Sequence, residues 1–391
     1  MPHSFHPKGN GNNSYNFIKL WEPIYRILPH TPILKSRGDR PLQMDFEDQL
    51  KSLVYFHLEE HTSGQHLLQV LDEDDYARKH IAPEGGIKKS SFSEAMNNRG
   101  LEQFIYVFQE LQKNATQVLP KEYENLGDLV AIDGSLINAT LTMDWADYRK
   151  GSKKAKIHLG FDLNRSIPQK LHLTGGKDGE RPFVSSILSE GQTGVLDRGY
   201  QSHGLFDAWQ EDKIKFVCRI KASTKVTVLQ ENEIKSGSII FRDDIVLLGT
   251  PGINQTQKSV RLVGYRVDGT EYWVSTNRLD LKAEDIALIY KLRWQIEEFF
   301  AWWKRHLKVY HLIARSEHGL MVQILSGLIT YLLLAIYCYE EHKEKVSIKR
   351  VRELRNKIQN ESRTMEEAEP YSQYAKEHSA NQWTFSENAK T

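Results

Sequence analysis

Residues 129–135 read Leu-Val-Ala-Ile-Asp-Gly-Ser. A short apolar run closes on an acid and then on a turn-prone Gly-Ser pair. Such a run reads as a buried strand, here Leu129–Ile132, with Asp133 at its carboxyl end. Residues 194–200, Gly-Val-Leu-Asp-Arg-Gly-Tyr, repeat the arrangement with Asp197. An acid at the carboxyl end of a strand stands at the rim of a sheet, where sites form in open α/β folds. Taken singly, each aspartate is most simply a turn or cap residue. A pair of them gains meaning only with a third group.

Outward from these runs the pattern stays mixed. Lys156–Phe161 and Gln169–Leu173 alternate, and Phe216–Ile220 reads as a strand. Helical patterns around Phe183–Leu188 and Gly204–Trp209 separate some of these, which predicts an α/β layout. From about Ala222 to Arg278 the chain turns β-rich. Val226–Leu229, Ser238–Phe241, Asp244–Leu248, Ser259–Arg266 and Glu271–Ser275 are candidate strands, with a hairpin signal at Asp268-Gly269. This looks like a small sheet inserted over 222–280. Upstream, residues 16–120 carry helical periodicity, through Phe46, Leu50, Leu53, Val54 and on through Leu67, Leu68 and Leu71. Ser91 and Glu94 fit a capping box, and Lys88 and Lys89 beside it could meet a phosphate backbone. Residues 1–15 are polar and Gly/Asn-rich, which predicts disorder. The predicted organisation is a disordered 1–15, a helical 16–120, an α/β domain over 121–345 and a polar, weakly ordered tail over 346–391.

The third group comes from the helix predicted after the β-rich block. Asp280 is a plausible cap, Glu284 and Asp285 fit a first turn, and the periodicity runs to about Val309. Tyr290, Arg293, Glu297 and Lys304 lie three, four and seven residues apart. At 3.6 residues per turn they share a stripe roughly 60° wide. Ile289, Leu292, Ile296, Phe299 and Trp303 form the adjacent, buried stripe. On a lone helix the simplest reading is an Arg293–Glu297 ion pair. Beside two strand-end aspartates, Glu297 completes a possible three-carboxylate site. Carboxylate oxygens suit Mg²⁺, and two such ions can clamp the attacking and leaving oxygens of a displacement at phosphorus. No side-chain nucleophile is needed for that chemistry.

Together these residues resemble the DDE transposases of the insertion-sequence-four family. Asp133 in A-I-D-G-S, Asp197 in V-L-D-R-G-Y, and Tyr290, Arg293, Glu297 and Lys304 meet its Tyr-Arg-Glu-Lys spacing. The resemblance covers about Leu129 to Leu312 well and the N-terminal region more loosely. It implies a ribonuclease-H-like core with a β-rich insertion before the glutamate. It implies that Asp133, Asp197 and Glu297 ligate two Mg²⁺ ions, which Mn²⁺ can replace. Tyr290, Arg293 and Lys304 would then contact phosphates, with Arg198 a further DNA contact. Members that open DNA through a hairpin flip a base, which needs an aromatic partner; Trp273 is in the matching place and Trp294 is a second candidate. The substrates implied are the inverted-repeat ends of the element and a target DNA, held by a homodimer.

Composition sets the bounds on this reading. Lys plus Arg is 52 and Asp plus Glu is 51, so any affinity for DNA must come from local charge. Lys150, Lys153 and Lys154, with Arg149 and Lys156, form one basic cluster; Lys345, Lys349, Arg350, Arg352, Arg355 and Lys357 form a second, mixed one. Either could be a solvated surface. Two cysteines exclude a disulfide framework and a Cys-rich zinc site. The N-terminal sequence carries no signal-like segment, which predicts a cytoplasmic protein, and the transposase resemblance implies a nucleoid-associated one. The uncharged run Gly319–Tyr339 is long enough to span a membrane, but its Gln323, Ser326 and Thr330 favour a buried core helix. Two other functions share parts of the pattern: a two-metal nuclease without strand transfer, and a non-catalytic DNA-binding descendant of a transposase. The intact acids and the Tyr-Arg-Glu-Lys spacing favour the transposase.

Overall fold

The structure is a computed structural model describing residues 15–34 and 41–361. The disordered segment expected over residues 1–15, apart from Tyr15, and most of the expected C-terminal tail lie outside the described residues. The chain divides into two compact units, one of residues 1–111, 306–314 and 318–391, the other of 112–305 and 315–317.

The first unit is helical. It holds α1 (Tyr15–Ile27), α2 (Phe46–Leu58), α3 (Gly64–Glu73), α4 (Asp75–His80), α5 (Lys89–Asn98) and the start of α6 (Leu101–Val118). The uncharged run forms α11 (Glu317–His342) in the same unit, and its most apolar stretch is 94% buried. Its buried Gln323, Ser326 and Thr330 all find partners within the protein. Gln323 Nε2 donates to His311 O (2.7 Å), Ser326 Oγ to Gln323 O (2.8 Å) and Thr330 Oγ1 to Ser326 O (2.8 Å). Ser326 Oγ also meets His57 Nε2 at 3.0 Å, while His57 Nδ1 lies 2.5 Å from Leu307 O. Complete burial pulls the His57 imidazole down to about 4, so it is neutral at pH 7.

The capping expectation for α5 does not hold. Lys88 is its N-cap and makes no side-chain bond; Ser91 lies inside the helix and donates to Gln43 Oε1, and Glu94 pairs with Arg99. The capping box belongs to α2, where Asp45 and Asp48 exchange bonds with each other's backbone amides.

The second unit is built on one ten-stranded sheet. Its strands are β1 (Leu129–Ala139), β2 (Asp147–Arg149), β3 (Ser152–Asp162), β4 (Ile167–Gly175), β5 (Thr193–Leu196), β6 (Lys215–Arg219), β7 (Val226–Glu231), β8 (Ile240–Leu248), β9 (Val260–Val267) and β10 (Thr270–Thr276). The order is β2-β3-β1-β5-β6-β10-β9-β8-β7, with β4 on the edge of β3. β1, β5 and β6 run parallel, and β3 opposes β1. Short helices α7 (Val184–Ile187) and α8 (His203–Glu211) make the connections. A core of Val130, Ile132, Leu196, Phe206, Trp209 and Phe216 lies beneath.

Three details differ from the sequence reading. β1 does not stop at Asp133 but runs to Ala139, because antiparallel β3 pairs with it that far; only the parallel ladder with β5 ends at Ile132. The β-rich block is not a separate small sheet. β10 pairs with β6 and covers what would be an exposed edge of unpaired backbone groups. Ser238–Phe241 and Asp244–Leu248 are not two strands; their β residues form the single β8, with an irregularity between Ile240 and Arg242. The Asp268-Gly269 turn is present, with positive φ at both residues as a two-residue hairpin of this twist requires.

The predicted long helix is two, α9 (Ala283–Leu292) and α10 (Trp294–His306). Asp280 is not the cap: both its oxygens hold Arg278, at 2.8 and 2.9 Å, and Lys282 is the N-cap. The break falls at Arg293, where the Arg293-to-Tyr290 and Ile296-to-Arg293 backbone bonds (3.2 Å each) are of the tighter i→i+3 kind. Ile289, Leu292, Ile296, Phe299 and Trp303 are buried, as their spacing predicts.

Candidate active site

The register of β1 against β5 matches Ile132 with Leu196. Asp133 and Asp197 follow directly, so they stand side by side about one strand spacing apart, ~4.8 Å. On the other flank Leu196 pairs with Cys218, which puts Arg219 next to Asp197. The carboxyl ends of three parallel strands thus present Asp133, Asp197 and Arg219 in a row.

Asp133 Oδ1 accepts the Gly134 amide at 2.9 Å, and Asp197 Oδ1 accepts that of Gly199 at 2.6 Å. Burial pushes the Asp133 carboxyl up to about 7; Glu180 and Asp197 push it the same way, while the Gly134 amide and Arg293 pull against them. The cluster is short of positive charge.

Further cations come from Arg293, at the break between α9 and α10, and from Lys304 of α10. Phe299 packs on Phe161 of β3, ring centroids 4.9 Å apart, and Lys304 Nζ donates to Leu136 O of β1 at 2.8 Å. Burial lowers the Lys304 ammonium and Asp133 opposes that shift. Arg293 Nη2 donates to Glu297 Oε1 at 2.6 Å, and its guanidinium lies 5.7 Å from the Tyr290 ring. Burial disfavours the charged Arg293, but Glu297 and Tyr290 outweigh it and raise its pKa. The structure brings Asp133 and Asp197 together, with Arg293 and Lys304 near enough to act on Asp133. Glu297 is drawn to Arg293 instead. Among the described residues no three acid, His or Cys side chains converge as a ready-made metal cage.

Glu180 is the residue the sequence reading missed. Its carboxylate lies so close over β1 that a Cβ on Gly134 would meet Glu180 Oε1 at 2.5 Å, and Lys156 Nζ approaches it at 3.4 Å. Tyr200 is 1% exposed; burial raises its hydroxyl pKa, and Glu180, Asp133 and Asp197 add to the effect. Glu180 sits in the loop before a short turn of 3₁₀ helix (Arg181–Phe183), outside any periodic element. Only Gly134, beside an aspartate, carries a trace of its presence.

The basic cluster does not form one surface. Lys150 is at the β2–β3 turn. Lys153 lies 3.6 Å from Asp144, Lys154 sits 5.0 Å over the Tyr148 ring, and Lys156 turns to Asp178 O and Glu180. Strand alternation sends neighbouring lysines to opposite faces. In the second cluster Arg350 is held by Glu344 and Glu353, and Arg355 by Glu60.

The aromatic candidates also separate. Trp273 packs on the core and against Phe241, 5.1 Å away, with Arg242 over its ring. The neighbouring Tyr272 points the other way, into a hollow of about 510 Å³ lined by Tyr265, Tyr272, Tyr290, Arg219, Arg293 and Trp294. Tyr265 and Tyr272 stack at 5.1 Å, and Trp294 is 57% exposed.

Residues 124–333, which hold both aspartates and Glu297, match the family described as Transposase DDE domain. The chain belongs to this family. It is 30% identical over 211 residues to a Sinorhizobium fredii protein named as a transposase, y4zB, covering 52% of this chain and 59% of the relative. It is 27% identical over 208 residues to a Geobacillus stearothermophilus protein named as the transposase of insertion sequence element IS5377, covering 53% and 55%. A Synechocystis protein named for element IS4SA is 27% identical over 259 residues, covering 63% and 71%. The chain therefore spans little more than half the length of the first two relatives. Members of the DDE domain family are DNA-acting, metal-dependent proteins in general, and the mixed sheet with helices around it agrees with that family.

Proposed function

We propose that this protein is an insertion-sequence transposase of the Tyr-Arg-Glu-Lys type, cutting the ends of its element and joining them to target DNA. The observation that carries this reading is the β1–β5 register, which sets Asp133 and Asp197 side by side, with Arg293 and Lys304 near enough to act on Asp133. The parallel β1, β5 and β6 flanked by antiparallel β3 support a ribonuclease-H-like core. The chain's own relatives carry transposase names.

The donor set fits a hard divalent cation. It offers carboxylate oxygens only, and Asp133 is pushed toward protonation by burial and neighbouring acids, a condition that an added positive charge relieves. Asp133 and Asp197 would hold Mg²⁺ or Mn²⁺, and Glu297 would join them on leaving Arg293. The bound ions would polarise the scissile phosphate and lower the pKa of the attacking water or 3′-hydroxyl. Arg293, freed from Glu297, can clamp a phosphate through two parallel N–H donors, and Lys304 offers a point charge. Tyr290, which lines the aromatic hollow, positions Arg293 through its ring, 5.7 Å from the guanidinium. Lys150, Lys153 and Lys154 reach DNA as separate contacts, not as one patch. Residues 16–120 act as the helical DNA-binding region, and the protein works as a dimer because two element ends are joined in one event.

The test uses purified protein, DNA carrying its own flanking ends, and Mg²⁺. Cleavage and joining that are both lost in Asp197→Ala are expected. Cleavage without joining would favour a nuclease, and binding without cleavage a non-catalytic descendant.

A further inference from the structure

A second hollow, of about 520 Å³, opens beside Asp197. Three cations line it from three separate segments: Arg181, Arg198 and Lys221. All three are exposed, and none has an ion-pair partner among the described residues. Several other cations of this unit are neutralised instead: Lys156 pairs with Glu180, Lys213 with Glu190, Lys258 with Glu211 and Arg266 with Glu271. The acid in the lining, Asp207, is committed elsewhere: its two oxygens accept the Gln257 and Lys258 amides, each at 2.9 Å.

The walls are fixed. Arg181 Nε donates to Gly199 O at 2.9 Å, and Gly199 N donates to Asp197 Oδ1, so the arginine is tied to the loop that carries the aspartate. Gln201 Oε1 accepts the Lys221 amide and its Nε2 donates to Thr224 Oγ1, both at 2.9 Å. The rest of the lining is amide, hydroxyl and imidazole, in contrast to the aromatic hollow.

We propose that this hollow holds the phosphodiester backbone of a DNA strand next to the phosphate that reacts at Asp133 and Asp197. The inference rests on the transposase reading. Arginines and a lysine free of acids are the groups that neutralise phosphates, and side-chain amides serve the same backbone without reading sequence. A hollow open to solvent, with its cations spread over three chain segments, suits a strand passing through better than one small enclosed anion. The assignment adds Arg181 and Lys221 to the DNA-contacting residues.

The experiment measures binding of the full chain to a fluorescein-labelled 30-base-pair duplex of arbitrary sequence, in EDTA, from 50 to 250 mM salt. Each lost phosphate contact lowers the slope of log K against log salt by about 0.9. Arg181→Gln/Lys221→Gln is therefore expected to lower it by about 2 and to weaken binding at every salt. Lys213→Gln/Lys258→Gln, which removes two ion-paired cations, is expected to leave the slope as it is. If the Arg181 change disturbs folding, Lys221→Gln alone should lower the slope by about 1. An unchanged slope with duplex binding intact overturns the proposal. So does a titration with inorganic phosphate in which the double variant loses phosphate binding while its duplex slope stays unchanged, which would mark a small-anion site. Failure of the unaltered protein to bind the duplex at any salt would instead sink the transposase reading itself.

Discussion

Asp133→Asn removes a charge the folded protein holds at a cost, and it should therefore stabilise the metal-free protein while destroying its response to metal. The Asp133 carboxyl is moved from 3.8 to about 7, chiefly by burial and then by Glu180 and Asp197. A raised carboxyl binds its proton more tightly in the folded state, so between pH 4 and pH 7 rising pH erodes stability. Above pH 7 the loss is complete, and a shift of this size corresponds to about 4 kcal/mol. That figure is a ceiling, since the asparagine amide must still be hydrogen-bonded among carboxylates. Asparagine Oδ1 can keep the Gly134 amide bond, and its NH₂ can donate to a neighbouring acid. For a unit of this size each kcal/mol moves Tm by about 2–4 °C. Thermal melts at pH 8 in EDTA should show the variant several degrees above the unaltered protein, with the gap closing by pH 4. Addition of 10 mM MgCl₂ should raise the unaltered protein through binding linkage and leave the variant unmoved. A variant no more stable in EDTA, or an equal Mg²⁺ response in both proteins, would refute the placement of Asp133 in a charge-starved metal site.

Glu297→Gln should act in the opposite sense in EDTA: it loosens the 2.6 Å bond that neutralises Arg293, a residue 9% exposed, and is expected to cost about 1–2 kcal/mol in urea unfolding. Asp243→Ala strands Arg261, whose two nitrogens meet Asp243 at 2.7 Å with both partners buried, and should cost about 3–5 kcal/mol by the same measurement. His57, neutral at pH 7 because burial lowers it from 6.5 to about 4, contributes stability that is present above pH 6.5 and lost as pH falls toward 4. The unfolding free energy from urea titration should drop over that window by roughly 3 kcal/mol from His57, and His57→Gln should reduce the drop without abolishing it, because His61 and His158 are lowered the same way. Trp273→Ala should lower Tm through lost packing, whereas Trp294→Ala should leave Tm within 1–2 °C, as for other surface changes, and slow processing of DNA ends in a gel assay.

Much of the candidate site was legible because strand and helix periodicities are local. The runs before Asp133 and Asp197 and the apolar stripe from Ile289 to Trp303 needed only short stretches of sequence. What the sequence could not convey was pairing between distant segments. The extension of β1 to Ala139 depends on its partner β3, not on its own residues. That Trp273 faces the core followed from which face of β10 is buried, and an alternating strand does not announce which face that is. The lysines of 150–156 looked like a single patch because charge is counted along a line, while a strand divides it between two faces. Glu180 reaches Asp133 from a loop with no pattern at all, and the Asp280 cap failed because Arg278 competes for both its oxygens.

The β-rich block between Asp197 and Glu297 raises a geometric problem: a long excursion must return the chain to the strands it left. The return is made by buried contacts at the foot of those strands. Asn277 Oδ1 accepts the Phe216 amide at 2.9 Å and its Nδ2 donates to Ile214 O at 2.9 Å, which fixes the chain on β6. Arg278, 4% exposed, then donates to Leu126 O and Thr193 Oγ1, at 2.9 and 2.8 Å, just where β1 and β5 begin. Helix α9 starts a few residues later. The helix pair carrying Arg293 and Glu297 is thus indexed to the two aspartate-bearing strands by Asn277 and Arg278, and at its far end by Lys304 on Leu136 O. Strand β8 joins in that indexing: its Asp243 holds Arg261, whose Nη1 donates to Leu281 O at 2.6 Å just before α9, and Ser238 Oγ, just ahead of β8, donates to Glu284 Oε1 at 2.8 Å. Strand β7 extends the sheet one step further, paired with β8.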